Sequence, residues 1–96
     1  MSADRILEMQ CTHARFLEML PKAIEHRPFE LVDDRVTVHD GDRCVTLIVH
    51  DEPVRRLGSL DLPMESVVFQ FPDHSDAEAD AFMSSFREHT LRAGGG

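Results

Sequence analysis

The chain has 96 residues, with 10 Lys and Arg against 18 Asp and Glu, for a formal charge of −8 at pH 7. Hydrophobic residues make up 42% and charged residues 29%, a balance too apolar for a disordered tail and too charged for a bilayer span. The length suits one domain with a modest core, and the acidity argues against nucleic acid as a partner, because binding to phosphates needs clustered cations.

The first residues do not read as a secretory signal or a membrane span, because Asp4, Glu8 and Glu18 interrupt every apolar run. Residues 3–26 read as an amphipathic helix. Ile6, Met9, His13, Phe16, Leu17, Leu20, Ala23 and Ile24 fall on one stripe, with Asp4, Glu8, Arg15, Glu18 and Lys22 opposite. Pro21 is expected to kink or restart this helix and Pro28 to stop it.

The middle reads as an antiparallel meander with turns at Asp33-Asp34, Asp40-Gly41, Asp51-Glu52 and Pro63-Met64. This register puts Phe29, Leu31, Val36, Val38, Val45, Leu47, Val49, Val54, Leu60, Val67, Phe69 and Phe71 on one face, with Gly58 opposite Phe69. A slip by one residue would invert every one of them. Ser75-Asp76-Ala77-Glu78 then forms a capping box, followed by the stripe Ala79, Phe82, Met83, Phe86 and Ala93, with Gly94 as the stop. The expected fold is a two-layer α+β domain over residues 1–93: an N-terminal helix, an antiparallel meander of four to five strands and a C-terminal helix. Both helices cover one sheet face. Residues 94–96 are expected to be a flexible glycine tail.

Most acids sit at the proposed turns or at the start of the last helix, where the helix dipole favours them. A carboxylate metal site is not expected, since turn acids at opposite ends of a sheet do not converge. Cys11 and Cys44 lack Cys-x-x-Cys spacing, which points to free thiols and a cytoplasmic setting. His39 lies diagonal to Cys44 without a third ligand, and His50 is too far along the strand to join them. No nucleophile elbow, phosphate-cradling loop or His-Glu-x-x-His motif occurs, so neither catalytic residues nor a cofactor are expected.

Three cations break the apolar pattern. His13 lies within the first stripe, Arg56 points inward on the proposed register, and His89 sits on the margin of the second stripe. They are either satisfied singly by neighbours or line a small-anion pocket between helices and sheet. On the opposite sheet face, Cys44, Ile48, Leu57 and Val68 form an apolar strip suited to a protein partner or a twofold dimer.

The ending Leu91-Arg92-Ala93-Gly94-Gly95-Gly96 resembles the tails of ubiquitin-like modifiers and sulfur carriers. That resemblance implies activation at the Gly96 carboxylate, although in that family the tail follows a strand rather than a helix. The leading reading is a non-enzymatic cytoplasmic protein-interaction module, a homodimer or part of a complex. The alternatives are a small-anion or small-ligand binder and a C-terminal glycine carrier. A cavity on the order of a few hundred Å³ between helices and sheet favours the binder. Protonation of the six histidines would cancel most of the net charge and is expected to promote self-association near pH 5–6.

Overall fold

The computed structural model describes residues 2–94, with side chains from 3 to 90. The chain runs β1 (Ser2–Met9), α1 (His13–Ala23), β2 (Phe29–Val32), β3 (Arg35–Asp40), β4 (Arg43–Leu57), β5 (Leu60–Phe71) and α2 (Asp76–Gly94). The strands form one antiparallel sheet in the order β1-β5-β4-β3-β2. Both helices pack on the same face, giving a two-layer α+β fold.

The first element departs from expectation. Residues 2–9 are a strand, and the N-terminal helix begins only at His13. Arg5-Ile6-Leu7-Glu8-Met9 satisfies a period of two as well as a helical period, and β5 offers it an open edge. Leu7 pairs with Val67 and Met9 with Glu65, while Ile6 turns outward. Thr12 then caps α1, its hydroxyl accepting the Arg15 N–H at 3.1 Å. Pro21 sits inside the last turn without ending the helix, which stops where Glu25 and His26 adopt left-handed φ of 57° and 60°.

The β2–β3 pairing matches the expected register, with Leu31 opposite Val36 and Phe29 opposite Val38. The β3–β4 turn is Gly41-Asp42, closed by Asp40 opposite Arg43, and Gly41 supplies the left-handed φ of 68°. This register differs from the expected one by two residues, so the same side chains still face inward.

The other two expected turns do not form. Asp51-Glu52 lies within β4 and Pro63-Met64 within β5. The two strands run on as a long hairpin turning at Gly58-Ser59, with Leu57 opposite Leu60. A bulge between Glu52 and Arg55 sets Pro53 and Val54 against Pro63, so the prolines fall where the ladder is already interrupted. Gly58 therefore does not face Phe69; it takes a φ of 61° at the tip. Because β3 ends its pairing at Ile48 and β1 at Glu65, the hairpin beyond them is a bare two-stranded ribbon. The ribbon leaves the core behind: Val54 is 58% and Leu60 62% exposed.

The core lies between the helices and the inward faces of β3, β4 and β5. Val36, Val38, Val45, Leu47, Val67, Phe69 and Phe71 meet Phe16, Leu20 and Ile24 of the α1 region and Ala79, Phe82 and Phe86 of α2. Phe69 stands edge-on to Phe86 at 4.9 Å between centroids, and Phe86 lies 6.5 Å from Phe16. One aromatic cluster thus ties both helices to the sheet. Phe29 and Leu31, on the edge strand β2, stay partly exposed. Ser75 and Glu78 form the expected capping box: the Glu78 N–H donates to Ser75 Oγ at 3.2 Å and the Ser75 N–H to Glu78 Oε1 at 3.0 Å. α2 is described through Gly94, which lies within the helix rather than in a tail, and Gly95 and Gly96 lie outside the described residues.

Candidate functional site

The three residues that break the apolar pattern are not brought together. His13 opens α1, half-buried, with Nδ1 3.3 Å from Oε1 of Glu65. Arg56 lies one pair from the ribbon tip; it is 75% exposed and holds Asp61 at 3.0 Å. The register does aim it toward the core side, but the ribbon has already passed the helices. His89 turns back on its own helix, donating from Nδ1–H to the Ser85 carbonyl at 2.7 Å.

The expected outer strip is divided in the same way. Ile48 and Val68 are direct cross-strand partners and half-buried. Cys44 lies opposite His39, with its Sγ 3.8 Å from the ring. No third ligand joins that pair among the described residues. Leu57 sits at the ribbon tip, nine residues from Ile48 along β4, or about 30 Å at the usual rise.

A different place offers a binding volume. Where β1 ends and α1 begins, a cleft of about 760 Å³ opens between β1, α1 and α2. It is lined by Leu7, Met9, Cys11 and Met19, together with Arg15 and Arg87. The volume lies within the range of small-molecule sites, and apolar walls with a few polar groups are the usual lining. Two thioethers give the walls a soft, adaptable surface. Of the acids among the described residues, only Glu8 lines the cleft, and its carboxylate lies 3.6 Å from Arg55; Arg15 is paired with Glu18 at 3.1 Å.

Among the described lining residues, Cys11 carries the one thiol. Burial first, and the nearby Glu65 carboxylate second, push its thiol above the ordinary range. It therefore stays protonated near neutral pH and is a poor attacking group. Glu65 itself is pushed up by burial and by Asp51, with His13 opposing.

The cleft was hidden in the sequence because it depends on the break between β1 and α1. Once residues 2–9 leave the helix, Cys11 moves from a helix flank to a buried wall. The available signal was Thr12, a capping residue three before Arg15. Comparison with protein-family models, curated proteins and solved structures returns no match.

Proposed function

We propose that the protein is a small-ligand-binding protein whose ligand is an organic anion with an apolar body, such as an alkyl or aryl carboxylate. The observation that carries this reading is the 760 Å³ cleft between sheet and helices. Its apolar floor would take the body of the ligand and its two arginines the carboxylate, through charge-assisted hydrogen bonds. The protonated Cys11 favours binding over covalent chemistry. The free cysteines accord with a cytoplasmic setting, and no helix among the described residues is long and apolar enough to cross a membrane.

Titration calorimetry with a series of alkyl and aryl carboxylates tests the reading. Saturable binding that strengthens with chain length is expected. Arg87→Gln should weaken it at least about tenfold, since a hydrogen bond to a charged group contributes roughly 1.5–3 kcal/mol. Met19→Trp should block it by filling the cleft. Absence of binding across the series, or identical affinity in both variants, would overturn it.

A second reading, a homodimer acting as an interaction module, is favoured by one feature of the outer face. Ile6 pairs with Val68, Val68 with Ile48, Ile48 with Arg35 and Arg35 with Val32. This row crosses all five strands, and its ends, Ile6 and Val32, are 64% and 65% exposed. A second copy laid across this row would bury both ends. Sedimentation equilibrium of the wild type and Ile6→Lys separates the cases: a dimer lost in the variant supports it, and a monomer throughout rejects it.

A further inference from the structure

The root of the β4–β5 ribbon, where the sheet narrows to two strands, holds an arrangement apart from the cleft. Glu65 is 1% exposed, on the inward face of β5; its one close polar contact, His13 Nδ1 at 3.3 Å from Oε1, falls outside hydrogen-bond geometry, and Oε2 has no hydrogen bond among the described residues. Its direct cross-strand neighbour is Asp51, and two acids facing each other destabilise a ladder. A buried carboxylate in such a place requires a compensating charge. The first residue of α1 points at the same spot: the donor atoms of His13, Asp51 and Glu65 all lie within 4.8 Å of one another.

We propose that His13, Asp51 and Glu65 bind a first-row divalent metal ion of the zinc type. Imidazole with two carboxylates suits that class, whereas calcium and magnesium call for six or more oxygen ligands. Bonds of about 2.0–2.2 Å would draw the ligand atoms to roughly 3.4 Å apart. His13, half-buried, and Asp51, exposed, have room for that adjustment, while Glu65 stays fixed as the floor. The ion would neutralise both acids and tie α1 to the base of the ribbon. Its open coordination position would face a pocket of about 310 Å³, which His13 and Asp51 share with Asp33, Asp34 and His50. An ion with three protein ligands and one open position can hold a water or a ligand atom.

Thermal denaturation and titration calorimetry with zinc chloride test the proposal, with magnesium and calcium chloride at equal concentration as controls. The expected result is one zinc bound per chain, a raised melting temperature, and little response to the controls. His13→Gln and Glu65→Gln should each weaken zinc at least about tenfold, since even residues that only support metal ligands contribute that much. Arg87→Gln, in the cleft, should leave the zinc response unchanged. Should Glu65→Gln not fold, His13→Gln at its half-buried position decides alone. A wild type indifferent to zinc would overturn the proposal. Equal zinc affinity in wild type and variants would overturn it by placing the ion elsewhere, as at His39 and Cys44.

Discussion

His74 Nε2 lies 3.0 Å from Oδ2 of Asp40, joining the approach to α2 to the end of β3. His74 is buried, with its ring edge-on to Phe71 at 5.7 Å between centroids. Asp40 also receives Arg27 Nε at 3.3 Å and lies 3.5 Å from Arg43. One carboxylate thus serves the loop before β2, the β3–β4 turn and the entry to α2.

Replacement of Asp40 by Ala leaves the buried His74 without this partner. A loss of about 1–3 kcal/mol in urea unfolding is expected, the range for an orphaned buried polar group. The pH dependence follows from the carboxyl, which the His74 hydrogen bond, with Arg27 and Arg43 adding to it, holds below its ordinary value. A carboxyl with a lowered folded pKa contributes stability that is present above its unfolded value, about 3.9, and is lost as pH falls through the folded one. Acid unfolding of Asp40→Asn should therefore be less steep below about pH 4 than that of the wild type.

Removal of the α2 cap by Ser75→Ala should cost about 1 kcal/mol in the same unfolding measurement. Glu78 is drawn down to about 2 by the Ser75 N–H and by Arg43. Its contribution is complete above the ordinary glutamate range and fades as pH falls toward about 2. Glu78→Gln should accordingly lower the melting temperature at pH 7 and converge with the wild type near pH 2.

Phe69 joins the two layers, with Phe71, Phe82 and Phe86 all within 6.4 Å between centroids. Phe69→Ala should lose about 3–5 kcal/mol. That is a large share of the total stability of a domain of this size, so loss of cooperative unfolding by circular dichroism is the expected outcome.

Much of the layer architecture was legible because burial follows parity. Val36, Val38, Val45, Leu47, Val67, Phe69 and Phe71 face the core under both the expected and the observed registers, which differ by two residues where β3 meets β4. The ribbon was not legible. Asp51-Glu52 and Pro63-Met64 read as turns, whereas the bulge that sets Pro53 against Pro63 keeps both segments within strands. The acidic pair is hidden for the same reason: Asp51 reads as a turn residue, whereas the ribbon register sets it opposite Glu65. His13 stands out in the sequence as a polar member of an apolar stripe, but its partner Glu65 lies on a strand whose observed register differs from the expected one.

The two cysteines should differ in reactivity. Cys11 is buried in the cleft wall and Cys44 is half-buried on the outer face, so iodoacetamide at pH 8 should label Cys44 first, as peptide mass mapping can show. Where a carboxylate occupies the cleft, labelling of Cys11 should slow further while that of Cys44 is unchanged. Faster labelling of Cys11 would contradict the burial.

The bare ribbon has a consequence for how the molecule opens. Its backbone bonds beyond Asp51 and Glu65 belong to two strands alone, with water on both faces. Amide hydrogen exchange should therefore grade along it, fastest beside Gly58 and slowing toward His50 and Ser66. Amides of Leu47 and Phe69 should exchange only with global unfolding. The ribbon is thus expected to melt as a separate unit, unzipping from its tip while the five-stranded body stays closed.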